Sequence, residues 1–582
     1  MKVRILLITT LCVLQLFKGE ASVLPADQSF VNHTTVYFEE DFCANAKTYL
    51  LYLGRDSLFK DKVILKKSSA LPSFLVSDLK WGSVYFWKIC AYDKNNNLIK
   101  AGDLHTFKIV EITTAYFDEV KLTVNSNKPG RHAGGFIAID NTRTIFNRRG
   151  EPVWTLPEIP GFIDDFTQTR DLKMTNENTI TLLANQTPIE IDFKGNVIWK
   201  GPSPFVLEGD TIVFHHDLKK DKEGNYYVLG NKYVYRNVLV KLPHDVVVNE
   251  DMVLVKDSAV FRKTEVGVLL KFDKNNNVLW YFDCNAYFKD IDLNFKKSES
   301  GFPNFNSHAN AFSVNEAGTK AYIGFRDLSR IIKVDMKTKT VLATYGEKYP
   351  SGDAQYANDL FRSQHGANIT SHHSILILNN NGSRPGGVSS VVEIKDTAAR
   401  GDSSLVWRLA LDFDKLTRGK SLKGGNVEEL PNSNLFVCAG DLNRVFEVTR
   451  SKETVWDAFV YFRGKKDTLW QPFSQYRASV FNKIVYYHFM SKVGDTRKEP
   501  GSYTIPYTIF NTGNFSDKYL VELLDENNKV IFSQRSEKVG SNSSVKENLK
   551  FNPGKDLPGS FYLRVVSIGS ANTLKITKVN FH

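Results

Sequence analysis

The chain has 582 residues, of which 42% are hydrophobic and 24% charged, proportions that are typical of a globular protein and exclude a wholly disordered one. The aromatic share of 12% favours β-structure. The formal net charge is +11, but the lysines and arginines are scattered and form no basic stripe, so we expect no nucleic-acid partner.

The N-terminus has the pattern of an export signal. A basic start precedes an apolar run from Ile5 to Leu16, and Gly19 and Ala21 supply the small residues that signal peptidase requires. We predict a signal peptide over residues 1–22 and a periplasmic or extracellular mature protein. The run is too short for an ordinary transmembrane helix, and no other stretch approaches ~20 apolar residues, so no membrane span is expected.

Residues 23–111 are predicted to form a small β-sandwich. The stretch SDLKWGSVYFWKICAYDKNNNLI alternates between two faces before an Asn-rich turn, and it resembles a strand of a fibronectin type III domain. Cys43 and Cys90 both fall in this domain. In an exported protein they are the pair that we expect to form a disulfide.

The middle of the chain, residues 112–485, contains six copies of one pattern. Each copy is an alternating strand, a polar turn with Asp, Asn or Gly, and a second apolar strand that usually closes on Trp. The closing residues are Trp154, Trp199, Trp280, Ala343, Trp407 and Trp456. A further strand precedes most copies, so that each copy has the size of a propeller blade. We predict an all-β protein built around a six-bladed β-propeller.

Two segments follow the repeats. The stretch WQPFSQYRAS, with Tyr476 and Arg477, is interpreted as the strand that closes the last blade. Residues 486–582 show another alternating pattern without the blade signature, as in SYTIPYTIFNTGNF. We predict a C-terminal β-sandwich there, with a structural or docking role.

Histidine is scarce, with 12 in the chain, yet it recurs at the inner strand of three successive blades. The positions are His215 and His216 in FHHDL, His308 in SHAN and His365 in QHGAN. Inner strands line the central channel of a propeller, so these imidazoles are expected to converge on its axis. Repetition at one topological position favours a function over unrelated hydrogen bonds in turns.

Converging imidazoles are typical ligands of zinc or copper. Here Arg326 accompanies them, and Asp217 is the one matching acidic residue. A guanidinium beside imidazoles disfavours a divalent cation and suits a tetrahedral oxyanion group. We therefore expect anion chemistry and no metal. The sequence also lacks a Gly-rich phosphate loop, so no nucleotide cofactor is expected.

Three motifs in this order carry a family resemblance. HHD, SHAN followed by GFRDLSRIIKVD, and QHGANI followed by LILNNNGSRPGGVSSVVEI resemble the PAPS-independent arylsulfate sulfotransferases over about Ala115–Arg477. The resemblance implies a six-bladed propeller with a small N-terminal β-domain. It further implies transfer of a sulfuryl group from a phenolic sulfate ester to a phenolic acceptor, without a cofactor.

The resemblance also assigns roles to residues. It implies that His365, in the QH position, is transiently sulfated in a ping-pong mechanism. The residues that hold the sulfuryl oxygens are then His216, His308, Asn310 and Arg326. His215 is the alternative to His216 within HHD, although position in the blade favours His216. The chain departs from relatives at Gly366 and in LNNNG, so its acceptor preference can differ.

The proposed chemistry follows from these residue types. A neutral imidazole attacks sulfur, the phenolate leaves, and a phenolic acceptor then takes the group, with His216 or His308 acting as acid and then base. Two other interpretations stay open: a secreted propeller that binds partners without catalysis, and a propeller enzyme with a metal at the histidines. A homo-oligomer is also left open.

Overall fold

The protein is represented by a computed structural model that describes residues 23–60, 65–237, 253–256, 259–295, 306–351, 355–356, 359–381, 387–396, 404–412, 420–552, 560–570 and 573–579. The predicted signal peptide lies outside the described residues. Strands dominate throughout, and the all-β prediction is confirmed. The chain divides into two compact units: one combines the residues up to Val110 with those from Val485, and the other spans Glu111–Ile484.

The N-terminal part of the first unit holds two sheets. One has the order β1-β8-β6-β3-β4, with β7 paired to β6, and the other pairs β2 with β5. The strands are β1 (Ser29–Val31), β2 (Val36–Glu39), β3 (Thr48–Gly54), β4 (Leu65–Ser69), β5 (Ser73–Val76), β6 (Val84–Tyr92), β7 (Leu98–Lys100) and β8 (His105–Ile109).

The predicted disulfide in this part is wrong. Cys43 and Cys90 are both free thiols, as are Cys284 and Cys438. Side chains of a strand alternate between the two faces of its sheet. In β6 the core cluster contains Ile89, the neighbour of Cys90, and Cys43 packs against that same cluster. Cys90 therefore points to the face away from Cys43, and the two sulfur atoms cannot meet.

The second unit holds six sheets that follow one another along the chain, here called sheets 1 to 6. Sheet 1 joins strands from both ends of the unit, because β10 pairs with β37. Its strands, preceded by β9 (Glu119–Asn127), are β10 (Phe136–Ile139), β11 (Thr144–Asn147), β12 (Pro152–Thr155) and β37 (Ala478–Phe481). Sheet 2 consists of β13 (Thr169–Met174), β14 (Ile180–Ala184), β15 (Thr187–Ile191) and β16 (Val197–Lys200).

Sheet 3 consists of β17 (Phe205–Leu207), β18 (Asp210–Lys220), β19 (Tyr226–Asn237), β20 (Val253–Lys256), β21 (Ala259–Phe272) and β22 (Val278–Asp283). Sheet 4 consists of β23 (Ala309–Val314), β24 (Lys320–Phe325), β25 (Arg330–Asp335), β26 (Thr340–Gly346) and β27 (Gln355–Tyr356). The described helical segments include α1 (Asp290–Phe295) and the 3-10 turns Cys284–Ala286 and Gly440–Leu442.

Sheet 5 consists of β28 (His365–Ile369), β29 (Ser374–Asn379), β30 (Ser390–Lys395) and β31 (Leu405–Ala410). Sheet 6 consists of β32 (Asn426–Glu429), β33 (Leu435–Cys438), β34 (Arg444–Val448), β35 (Thr454–Arg463) and β36 (Gln471–Pro472), with β9 paired to β35. None of the helices in the described part of the chain has the length and apolar character of a membrane-spanning segment.

The C-terminal part of the first unit holds two antiparallel sheets around one hydrophobic cluster. Its strands are β38 (Phe489–Val493), β39 (Arg497–Glu499), β40 (Ser502–Asn511), β41 (Tyr519–Leu524), β42 (Val530–Arg535), β43 (Ser543–Phe551), β44 (Phe561–Ser567) and β45 (Leu574–Val579). The strand β44 alternates strictly between buried and half-buried residues, as expected for a sheet with one face on a core.

The six sheets of the second unit contact one another in a closed order. Their inner strands touch in the sequence β37, β13, β18, β23, β28, β32, and β33 of sheet 6 returns to β37. Side chains connect successive strands: Asp171 accepts from the backbone N–H of Leu218 at 2.7 Å, and Asp217 accepts from that of Phe312 at 3.1 Å. A ring of sheets with its inner strands at the centre is the result.

The repeated Trp of the sequence fastens one sheet to the next. In four repeats its indole Nε1–H donates to a backbone carbonyl in the following sheet. These bonds are Trp154 to Phe193 at 2.7 Å, Trp280 to Met336 at 2.7 Å, Trp407 to Arg450 at 2.8 Å and Trp456 to Arg148 at 2.9 Å. The last bond runs from sheet 6 back to sheet 1. The periodic Trp therefore reflects contact between sheets.

Candidate active site

Irregular inner strands present the predicted histidines. His216 lies within β18 and His365 begins β28, and the pairing of each strand with its neighbour shifts register at that point. His216 and His308 have φ angles of 66° and 48°, in the left-handed region that non-glycine residues rarely occupy. Such conformations persist where the surrounding structure holds them, and they are common at functional sites.

The structure brings the predicted histidines together. The ring centroids of His216 and His308 are 5.5 Å apart, and those of His215 and His216 are 4.4 Å apart. Tyr476 joins the group, with its ring centroid 5.4 Å from that of His216 and 6.0 Å from that of His365. Four imidazoles from three sheets thus form one group, in which His216 and His365 pack against the buried ring of Tyr476.

Hydrogen bonds fix the tautomer of His365. Its Nδ1 lies 2.7 Å from Asn380 Oδ1. The amide nitrogen of Asn380 donates to the carbonyls of Ser421 at 2.9 Å and Gly424 at 3.1 Å, so Oδ1 must be the atom that accepts from His365. The backbone N–H of Gly424 donates to Nε2 at 3.2 Å. Nδ1 therefore carries the proton, and Nε2 carries the lone pair.

Burial keeps the imidazoles of His215, His216 and His365 neutral. It lowers the pKa of His365 to about 3, with the positive charges of Arg326 and Arg477 acting in the same direction. It also lowers the pKa of His215 to about 4 and that of His216 well below its ordinary value. A neutral imidazole carries a nitrogen lone pair with which it can act as a nucleophile, whereas the imidazolium form does not.

Arg326 and His308 share a carboxylate. Arg326 Nη1 donates to Asp327 Oδ1 at 2.7 Å, and His308 Nδ1 lies 3.4 Å from Asp327 Oδ2. The backbone N–H of Arg326 also donates to His308 O at 2.9 Å. Arg326 Nε is buried and has no hydrogen-bond partner among the described residues. It is a cationic donor already desolvated and available to a ligand oxygen.

Two predicted site residues make contacts that differ from the expectation. Asn310 is fully buried, and its amide nitrogen donates to Gln364 O at 2.7 Å, so it fixes the residue before His365. Its Oδ1 has no partner among the described residues and cannot donate to an oxygen atom. The Nδ1 atom of His215 contacts the Nδ1 atom of His216, so His215 lies directly beside His216.

A cluster of charges, here called the ion cluster, lies beside the histidines. Arg477 Nη1 contacts Asp171 at 3.3 Å and Asp217 at 3.1 Å, and Lys173 contacts the same carboxylates at 2.7 and 3.0 Å. Burial raises the pKa of Asp171 to about 7. For Asp217, burial also acts upward, but Arg477 and Lys173 outweigh it and lower the pKa. Arg477 Nη2 donates to Asn310 O at 3.0 Å, which ties the cluster to the site.

Several of these neighbours lie outside the motifs from which the site was predicted. Asn380 lies in the LNNNG segment of the sequence, and Gly424 precedes β32, the inner strand of sheet 6, by two residues. Tyr476 and Arg477 precede β37, which was predicted to close the last blade but pairs with β10 in sheet 1. They also contact the histidine group and Asn310. The contacts of Asn380 and Gly424 with His365 join residues that are distant along the chain, so they become visible only in the structure.

The group of residues can bind and activate an anionic ester. It combines a buried neutral nucleophile with a guanidinium whose Nε is buried and with a backbone N–H, the arrangement that stabilises charge developing on oxygen. Among the described residues no group of three or more His, Cys, Asp or Glu side chains has the geometry of a metal site.

Comparisons with known proteins give one family match. The model of the arylsulfotransferase (ASST) family matches residues 121–402, the segment with His216, His308, Arg326 and His365. No curated protein matches the chain.

Solved structures resemble the chain only distantly. "KlHsv2 with loop 6CD replaced by a Gly-Ser linker" is 8% identical with a TM-score of 0.28, over 64% of this chain and 92% of that one. Hydrazine synthase of Kuenenia stuttgartiensis is 12% identical with a TM-score of 0.26, over 66% and 99%. The extracellular domain of a putative hybrid two component system from B. thetaiotaomicron is 8% identical with a TM-score of 0.24, over 96% and 87%.

Proposed function

Because residues 121–402 belong to the arylsulfotransferase family, we propose that the protein transfers a sulfuryl group from a phenolic sulfate ester to a phenolic acceptor through His365. The observation that carries this proposal is the hydrogen bonding of His365, which leaves Nε2 with its lone pair in a buried site next to Arg326. No cofactor takes part in the scheme.

The scaffold in this proposal is a six-bladed β-propeller formed by sheets 1 to 6. The closed order of contacts among the inner strands and the pairing of β10 with β37 support it. The N-terminal strands β1–β8 form a fibronectin-III-like sandwich in the same proposal, and β38–β45 form a second sandwich.

The first step forms a nitrogen–sulfur bond. Nε2 of His365 attacks the sulfur atom in line, the bond from sulfur to the aryl oxygen breaks, and its electron pair leaves with the phenolate. The ring of His365 then bears a positive charge. Asn380 Oδ1, which accepts from Nδ1–H at 2.7 Å, stabilises that charge.

The negative charge on the sulfuryl oxygens needs hydrogen-bond donors that stabilise it in the transition state. Arg326 Nε is available because no described residue accepts from it. The N–H of Gly424 lies 3.2 Å from Nε2 and can donate to a sulfuryl oxygen bound next to Nε2 once the lone pair engages sulfur. Positioned donors of this kind contribute about 3–4 kcal/mol each to transition-state stability.

His308 is the acid and base in the scheme. It has a carboxylate neighbour, Asp327 at 3.4 Å, and its side chain is 31% exposed, so it can exchange protons with bound substrates. It gives a proton to the leaving phenolate. In the second step it takes one from the acceptor phenol, whose oxygen attacks sulfur and releases neutral His365.

Transfer activity tests the proposal. The full-length protein is incubated with para-nitrophenyl sulfate, and release of nitrophenol is followed with and without phenol. We expect release to depend on phenol, phenyl sulfate to form in equal amount, and initial rates to follow ping-pong kinetics. His365→Ala should abolish release, and His373→Ala, at a turn in sheet 5, should retain it. Absence of release with any phenol would instead favour a binding protein.

Export is a second part of the proposal. Residues 1–22 have the signal pattern, so the mature protein is periplasmic or extracellular. Expression of the full chain with N-terminal sequencing of the processed product tests this. Retention of Met1 in the fractionated protein would contradict it.

A further inference from the structure

A cavity lies further along the inner strands, in the direction of the chain, than the histidines. Its volume is about 250 Å³, far above the ~10–15 Å³ that one water molecule requires. Its walls include Lys173 of β13, Lys219 of β18, which follows His215 and His216 along that strand, and Asn368 of β28. The ion cluster also lines it, so the same charges border the histidine group on one side and this cavity on another.

The charges of the ion cluster compensate one another, but Lys219 adds a further cation. Its neighbour Lys220 forms ion pairs with Glu177 and Glu190. No ion pair joins Lys219 to any residue that the structure describes. Lys219 is solvent-exposed where it lines the cavity. The carboxylates of Asp217 and Asp171 attract its ammonium group from a distance without forming an ion pair with it.

Two other polar groups line the cavity. The hydroxyl of Ser479 is buried and has no hydrogen-bond partner among the described residues, so it is free to donate. Glu428 is the opposing charge, but its Oε1 already accepts from the N–H of Val480 at 2.6 Å. Burial raises the pKa of Glu428 to about 7, which disfavours its anionic form.

We propose that this cavity is a binding site for a small oxyanion, with the ammonium of Lys219 as its charge partner and the hydroxyl of Ser479 as a neutral donor. Sulfate, phosphate and small carboxylates share the required chemistry, since each presents several oxygen atoms to a cation and a hydroxyl group. The site does not depend on the proposed sulfuryl transfer and does not include the histidines.

Titration calorimetry on the full-length protein tests the site. Sodium sulfate, sodium phosphate and sodium acetate are titrated separately into the wild type, Lys219→Met and Lys274→Met, the last an exposed lysine in a turn of sheet 3. We expect saturable binding of at least one anion, weakened about tenfold or more by Lys219→Met because a charge-assisted bond is lost. Lys274→Met should bind as the wild type does. The anion that binds most tightly identifies the class of ligand.

A further variant separates this cavity from the histidine site. Arg326→Gln removes a donor next to His365 and leaves the cavity intact. Anion binding that survives Arg326→Gln and weakens in Lys219→Met supports the proposal, and Ser479→Ala should then weaken it about fivefold. Binding that is lost in Arg326→Gln and retained in Lys219→Met would overturn it, as would no saturable binding of any of the three anions. Turnover of an aryl sulfate by Lys219→Met is expected to match the wild type, so the two proposals can fail separately.

Discussion

Asn380→Leu tests whether the tautomer of His365 matters. Leucine has a similar volume but removes the acceptor at 2.7 Å from His365 Nδ1 and both amide donors. The positive charge that develops on His365 then loses a charge-assisted hydrogen bond, worth about 1.5–3 kcal/mol. That loss corresponds to a decrease of about 10- to 150-fold in the rate of sulfation. The single-turnover rate with excess para-nitrophenyl sulfate measures it.

A matched control separates chemistry from stability. Asn379 is also buried; it donates to Ser390 Oγ at 3.0 Å and accepts from the N–H of Arg362 at 2.8 Å, but no hydrogen bond joins it to His365. Asn379→Leu should cost a similar amount of stability, about 2–4 kcal/mol, and leave the sulfation rate within about threefold of the wild type. Equal losses in both variants, or an unchanged rate in Asn380→Leu, would refute the tautomer argument.

Three further predictions concern donors, glycine and pH. Arg326→Lys should lower kcat for para-nitrophenyl sulfate about 100-fold, because an ammonium does not replace the buried Nε donor; an unchanged kcat would contradict this. Gly425→Ala should destabilise the protein by about 3 kcal/mol or more in thermal unfolding, since φ is 89° and a Cβ would lie 2.5 Å from a backbone oxygen. Gly209→Ala, with a φ of 93° and open space, should cost about 1 kcal/mol, and equal losses would refute the steric reason. The low pKa of His365 means that the unfolded chain binds more protons between about pH 3 and its ordinary pKa near 6.5, so stability falls as pH drops below 6.5, by about 1 kcal/mol per pH unit. The urea midpoint at pH 7 and pH 5.5 should therefore differ less in His365→Gln than in the wild type, and an identical difference would contradict the assignment.

Much of the second unit follows from its repeats. The polar turns could be read from the sequence because their chemistry is local: Asp192 accepts from the N–H groups of Lys194 and Asn196 at 2.9 Å, and Gly195 supplies the left-handed residue with a φ of 93°. The closing Trp residues were visible as a period, and their bonds to the next sheet explain why the period exists.

The sequence was less informative where a property depends on which side of a strand is buried. The disulfide was predicted from the presence of Cys43 and Cys90 in one domain, but the alternation in β6 puts Cys90 on the other face. The motif that contains Asn310 implied that this residue holds a sulfuryl oxygen, yet its amide nitrogen donates to Gln364 O. The partners of His365 come from Asn380 and Gly424, which are distant from it along the chain, and pairings of this kind are set by the ring of sheets.

The most direct test of the central claim is the intact mass of the protein after brief exposure to an aryl sulfate without acceptor. We expect a labile adduct with the mass of one SO3 group per chain. The adduct should be lost on addition of phenol, and peptide mapping should locate it at His365. His365→Ala should show no adduct, while His373→Ala shows it in full. An adduct that persists in His365→Ala, or turnover in the wild type with no adduct at any time, would contradict it.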